Sequence, residues 1–430
     1  MRINVKTSLF FSLFLFFLPF TQALTLNIGF ALKISEVIIL FLIFLYLNKI
    51  KAYVFISKLP ISNVVLSGFM FLAILSFIIN SFWDYTYNLK EIPFRINAIG
   101  DSFLRLFYIF ICYSTYFISK KFISRNPEVL KYWVQGAVIV ALYSWYLFIS
   151  SALEIPYLKL PGMLDSPQTL YGIVRSGTFL EGNFFGLYLI LSSAVAFFLD
   201  KNKSGKFLLL SVFTTLSSIS IISSLFFVII YYRTVIFKKN NFKYFIGVLP
   251  FIFIGMYFFV QTSFYQDYVY KKIATPSTTL TTYNLSKVDR LLTSRIAFKL
   301  GIDNPIVGVG PYNYSLHYDE YNDIEDEVEN LKSSEFAISY FARKNTRAIP
   351  NNIYLEVWSE YGIIGFLLYC SFLLILIYKS YKLRKSSIFA GVVALLISFC
   401  AFPSFIMVFI WSYFAIPFAL DSNYDSILNK

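Results

Sequence analysis

Long apolar runs, each about the length a helix needs to cross a bilayer, alternate along this chain with short polar breaks. They fall at 8–25, 28–48, 61–82, 102–119, 132–153, 180–199, 244–261, 352–377, 387–402 and 404–420, the last two separated only by Pro403. One further run, 207–232, carries basic residues at both flanks, which places both its ends on one side of the membrane. It is too short for two ordinary crossings, and Thr214, Thr215, Ser217, Ser218 and Ser220 lie in its middle. Two short helices meeting at a polar break, or a re-entrant hairpin, satisfy both facts. Irregular backbone at membrane depth is tolerated only when packed in protein or facing water. The pattern predicts an all-α polytopic membrane bundle of about twelve crossings.

The polar stretches divide the chain into three: spans in 1–261 with a short external loop at 154–178, a large external loop at 262–351, and C-terminal spans with a tail in 352–430. Pro156, Pro161 and Pro167 exclude a continuous helix from the first loop. In the large loop, residues 290–300 predict an amphipathic helix with Leu291, Leu292, Ile296 and Leu300 on its apolar face. Asp303-Asn-Pro305 ends it, and Gly308 and Gly310 permit a tight turn. The acidic stretch 319–329 predicts a solvated face. A helix begins near Asn351, with Glu356 and Glu360 sharing one face and Trp358 and Tyr361 suited to interfacial depth.

Composition removes the soluble alternative. The 430 residues are 57% hydrophobic and only 14% charged, with a mean hydropathy of +0.65, more apolar than a soluble domain can hide. A net charge of +13 raises nucleic acid as a partner, but its distribution excludes it. The basic residues sit in short clusters between spans, such as Lys120, Lys121, Arg125 and Lys131, or Lys379, Lys382, Arg384 and Lys385. Such clusters keep their loops, and here both termini, in the cytoplasm. Met1 to Lys6 followed by apolar 8–18 resembles a signal peptide, but no small-residue cleavage site follows, so an uncleaved first span is expected. Cys112, Cys370 and Cys400 all fall in spans and the chain has one histidine, His317. Neither a disulfide framework nor a metal or other cofactor is expected.

Candidate chemistry lies in the external loops. Arg175 precedes Gly186, and Arg290 precedes Gly301, each with ten intervening residues and each read as lying at a helix entrance. The planar guanidinium holds phosphate oxygens in bidentate fashion and stays charged under all conditions. The competing reading pairs each arginine with a local acid, Glu181 or Asp289, to brace its loop.

Arg175-Ser-Gly-Thr-Phe-Leu-Glu-Gly-Asn183, Asp289-Arg290, Asn304-Pro-Ile-Val-Gly-Val-Gly310 and Asn352-Ile-Tyr-Leu-Glu356 through Glu360-Tyr-Gly362 together resemble the O-antigen polymerase and ligase superfamily. The paired Arg-x10-Gly segments resemble its polymerase (Wzy) branch. The resemblance implies a bacterial inner-membrane glycosyltransferase acting at the periplasmic face on undecaprenyl-diphosphate-linked oligosaccharide. It would need no metal, and a chain-length regulator protein is an expected partner. The resemblance implies that Arg175 and Arg290 engage the diphosphate, with Arg295 close by, and casts the first two as catalytic; Arg295, Glu181, Asn183, Asn351, Asn352 and Glu356 are the candidate substrate-binding residues. Glu181, Asp289 and Glu356 are the candidate general bases for an acceptor hydroxyl. One departure matters: the ligases carry His-Asn where this chain has Asn351-Asn352, and His317 lies far upstream among acids, as a solvated loop residue. That favours polymerase over ligase. A lipid-linked-glycan transporter would be expected to carry charge at mid-span; here Lys33 and Glu36 can pair one turn apart and Arg105 sits near a span end.

Overall fold

The computed structural model describes residues 5–27, 31–50, 60–81, 98–163, 167–170, 172–236, 265–281, 284–324, 348–383 and 385–428, with isolated residues in 250–262 and 328–341. It is 74% helical with almost no strand. Four helices are long and apolar enough to cross a membrane, at Ile61–Ser81, Ile99–Arg125, Pro127–Ala152 and Ile353–Lys382, and shorter apolar helices accompany them. The chain is therefore an all-α membrane protein, as its hydropathy pattern predicts. Most of the expected span 244–261 and of the polar stretch after Trp83 lies outside the described residues.

In chain order the principal helices are α1 (Val5–Phe17), α2 (Ile34–Ile50), α3 (Ile61–Ser81), α4 (Ala98–Arg125), α5 (Leu130–Ala152), α6 (Gly182–Phe198), α7 (Asn202–Ser211), α8 (Ser218–Tyr231), α9 (Leu285–Asp303), α10 (Ile353–Lys382), α11 (Ser386–Phe399) and α12 (Val408–Leu428). The first two apolar runs are shorter as helices than they read. A small antiparallel pair, β1 (Thr25–Asn27) and β2 (Ala31–Lys33), takes up their junction. The chain forms two compact units. One comprises Met1–Met70, Phe107–Tyr231 and Leu368–Lys430, the other Phe71–Leu106 and Tyr232–Leu367.

The first unit is built around α6. This helix is apolar on every side, and its residues from Gly182 to Phe197 are all buried, the pattern of a helix enclosed by others. α5, α7, α8 and α11 pack against it. Trp133 of α5 stacks on Tyr188 of α6 at 5.8 Å and donates to Ser192 at 2.7 Å. Small residues allow close approach: a side chain at Gly186 would overlap Ser220 of α8.

The ambiguous run forms a helical hairpin. α7 starts beside the C-terminal end of α6, where Ser193 donates to the Gly205 carbonyl at 2.8 Å. It runs back to a 3-10 turn at Val212–Thr215 and breaks at Leu216, whose φ of 46° lies in the left-handed region. α8 then returns along α6, with Ser220 near Gly186 and Phe227 stacked near Phe197. The central hydroxyls satisfy the break: Thr214 meets Ser144 at 2.8 Å, and Thr215 donates to the Val212 carbonyl at 2.7 Å. The hairpin tip therefore lies level with the N-terminus of α6.

In the second unit the polar loop has a core of its own. Val288, Leu292, Ile296, Ala297 and Leu300 of α9 bury against Leu280, Val309, Tyr314, Tyr318, Ile324, Val328, Phe341 and Ala348. The helix starts five residues before the expected Arg290. Leu291 does not join the core but stands 49% exposed; Val288, one turn earlier, takes the inward position. The acidic stretch is not uniformly solvated, because Ile324 and Val328 anchor it to this core.

The glycine-rich segment after α9 does more than turn. α10 is broken at Gly362 (φ 63°, ψ −168°), and residues 304–310 insert their backbone there. Val309 and Gly310 donate to the carbonyls of Ser359 and Glu360, both at 3.0 Å, and Ile363 donates to Pro305 at 2.7 Å. The break orphans helical carbonyls and the inserted segment satisfies them. Gly308 and Gly310, at φ 68° and 97°, adopt backbone that side chains resist. Ser76 and Asn80 of α3 lock the insertion, donating to the Val307 carbonyl at 2.7 Å and the Gly308 carbonyl at 3.2 Å.

Candidate functional site

Arg175 follows a two-residue strand pair, β3 (Thr169–Leu170) and β4 (Ile173–Val174). Its backbone N–H donates to the Gln168 carbonyl at 3.0 Å. Its Nε donates to Gln168 Oε1 at 2.9 Å, and its Nη1 reaches the carbonyl of Leu216 at the hairpin tip, at 3.5 Å. The same Gln168 oxygen accepts from the Gly182 N–H at 3.0 Å, in the first turn of α6. One carboxamide thus ties the guanidinium to a helix N-terminus, where the helix dipole favours an anion. Thr178 holds the loop down, donating to the Pro19 carbonyl at 2.6 Å. Glu181 is the N-cap residue of α6 and is half-buried; Asn183 is buried in the first turn and accepts from the Phe184 N–H at 3.0 Å.

In the second unit Arg290 lies in the second turn of α9 rather than at its entrance, and is partly exposed. The two Arg-x10-Gly segments are therefore not one structural repeat. Arg290 and Gly301 share a helix, eleven residues or about three turns apart and hence on one side. Arg175 precedes its helix altogether. Each glycine has a packing reason, Gly186 against Ser220 and Gly301 against the Trp358 indole. Asp289, beside Arg290 in sequence, is buried and accepts from Asn351 Nδ2 at 3.1 Å.

Arg295 sits on the outer side of α9, 3.5 Å from Asp323, which also accepts from Lys299 at 2.8 Å. Burial alone raises the Asp323 carboxyl, but the hydrogen bond and charge of Lys299, with Arg295, outweigh it and hold the carboxyl below its ordinary value. His317 lies 2.9 Å from Glu320. Asn352 caps α10, its Oδ1 accepting from the N–H groups of Tyr354 and Leu355 at 3.0 and 3.3 Å. Asn352→Ala is expected to cost about 1 kcal/mol, read as a lower unfolding midpoint of the solubilised protein.

Glu356 is fully buried and forms an ion pair with Arg105 of α4, itself 7% exposed. Arg105 also stacks over the Tyr312 ring at 5.5 Å and acts electrostatically on Glu360, which is fully buried one turn beyond Glu356. One guanidinium thus serves two buried carboxylates. The sequence marks Glu356 and Glu360 as sharing a helix face, but nothing in it shows that Arg105, 251 positions away, completes the cluster. Gln168 is the other residue that the sequence does not mark; a glutamine seven positions before an arginine carries no signal of its own.

Of the expected residues, the first unit contains Arg175, Glu181 and Asn183, gathered at the start of α6. The second contains Arg290, Arg295, Asn351, Asn352 and Glu356, on α9 and the start of α10. Residues 206–370 match the family model described as O-antigen ligase. No curated protein matches the chain.

Proposed function

We propose, taking the match to the O-antigen ligase model over residues 206–370 as the premise, that this protein is a repeat-unit polymerase of surface polysaccharide. It transfers a growing glycan from undecaprenyl diphosphate to a hydroxyl of the next carrier-linked unit, at the periplasmic face of the bacterial inner membrane. The observation that carries the reading is Arg175, held by Gln168 at the N-terminus of α6, a setting made for a multiply charged oxyanion.

In the proposed step the bond between the sugar's anomeric carbon and the diphosphate oxygen breaks, and the acceptor oxygen bonds to that carbon. The electron pair leaves with the carrier diphosphate, and guanidinium groups neutralise the charge that gathers there. Arg175 and Arg290 are assigned this role in their respective units. The acceptor proton passes to a carboxylate. Of the three candidate acids, Glu181, half-buried at the N-cap of α6 just after the Arg175 loop, is assigned the proton by its position.

A second reading is favoured by the description of the matching family itself: a ligase that moves finished glycan to another acceptor. Against it, the position where the ligases carry histidine is Asn351, whose amide nitrogen donates to Asp289 and has no basic lone pair to offer. A glycan gel from a deletion strain separates the two. Loss of all polymerised material, with single units still attached to acceptor, supports polymerase. Long polymer accumulating on the carrier indicates ligase.

A further inference from the structure

α9 has two apolar faces, and only one is used by the loop core. Opposite Ile296 and Leu300, a second line runs through Leu291, Phe298 and Ile302, which are 49%, 54% and 52% exposed. At about 100° per residue these three fall within roughly 20° of one line along the helix, with Lys287 and Arg295 about 40° to either side. Ile306, just past the helix end, is 64% exposed. Exposed stripes of this kind mark an interaction surface.

The stripe does not stand alone. Trp358 of α10 donates its indole N–H to the Phe298 carbonyl at 3.2 Å, and Gly301 leaves room for the ring. Ile363 donates its N–H to Pro305 at 2.7 Å. These contacts set the C-terminal half of α9 against the segment of α10 where Ile363, Ile364 and Leu367 are exposed. Those three lie on a helix long and apolar enough to cross a membrane, where exposed apolar side chains face acyl chains. The α9 stripe continues that lipid-facing surface, with a tryptophan at the junction, as expected at the membrane–water boundary.

We propose that the outer face of α9 lies on the bilayer surface, with Leu291, Phe298 and Ile302 buried at the headgroup–acyl boundary. Lys287, which donates to the Thr275 carbonyl at 3.2 Å, and Arg295, 3.5 Å from Asp323, flank them on the helix. Apolar residues on one line with cations beside it are the signature of a helix lying in the interface plane. Asp323 pairs with both Arg295 and Lys299, on the side of the stripe toward Lys299. This assignment stands independently of the transferase reading. It fixes the depth of Arg290, on the same helix, near the headgroups of the bilayer.

The test uses the full chain with p-benzoylphenylalanine placed singly at positions 291, 298 and 302, and at exposed Glu320 as control. Each protein is reconstituted in vesicles of phosphatidylethanolamine and phosphatidylglycerol, irradiated and weighed by mass spectrometry. The expected result is a phospholipid adduct at the three stripe positions and none at 320. A crosslinked dimer from the stripe would overturn the proposal in favour of a second copy covering the face. Absence of any adduct at the stripe, with the protein folded by its unfolding midpoint, would overturn it in favour of a face open to water.

Discussion

Arg105→Ala is expected to destabilise the protein by about 3–5 kcal/mol, the usual cost of removing one partner from a buried ion pair. The guanidinium faces Glu356 directly and Glu360 electrostatically, both carboxylates are fully buried, and α4 brings the cation from a distant part of the chain. With the cation gone, the Glu356 carboxylate is left buried beside a second buried carboxyl group, Glu360. Glu356→Gln should cost less, because Arg105 still faces the Glu360 carboxyl group. Thermal unfolding of the solubilised variants measures both. An Arg105→Ala protein as stable as its parent, or a Glu356→Gln protein that falls as far as Arg105→Ala, would contradict the account. The consequence reaches the loop, since Ser359 and Glu360 supply the carbonyls that hold Val309 and Gly310.

Arg175→Ala and Arg290→Ala form the second prediction: each is expected to lower glycan transfer by about two to three orders of magnitude, the range for loss of one preorganised donor at a developing oxyanion. The lysine variants should recover little of it. Lysine keeps the charge but presents it as a point, so it cannot reproduce both the hydrogen bond to Gln168 and a bidentate grip on phosphate. For Arg175 a second readout separates chemistry from folding. Gln168→Glu keeps an acceptor for the guanidinium but adds a negative charge where the anion would sit, so turnover should fall while the unfolding midpoint holds. Turnover of purified protein with carrier-linked oligosaccharide measures all of these.

How far the sequence reaches depends on distance along the chain. Hydropathy locates α3, α5, α6, α10 and α11 within a few residues, because each apolar run is its own signal. The helix start near Asn351 is legible because capping is local, and the structure puts the cap itself at Asn352. The hairpin of α7 and α8 is legible as a contradiction, two basic flanks around a short run, and the structure settles it with the left-handed Leu216. Contacts between distant segments are not legible. Gly308 and Gly310 announce a turn, but not that the turn fills a break at Gly362. Arg105 reads as a charge near a span end, and only folding shows it to be the counterion of Glu356. Arg175 and Arg290 look alike by spacing, yet one precedes its helix and the other lies inside it. Spacing matches without helical phase say nothing about geometry.

The gel profile of surface glycan from cells carrying Arg175→Ala in place of the native protein tests the central assignment most directly, with the variant shown to be present in the membrane at the native level. The account predicts that long chains vanish while single repeat units remain on the acceptor. An unaltered distribution of chain lengths would contradict it.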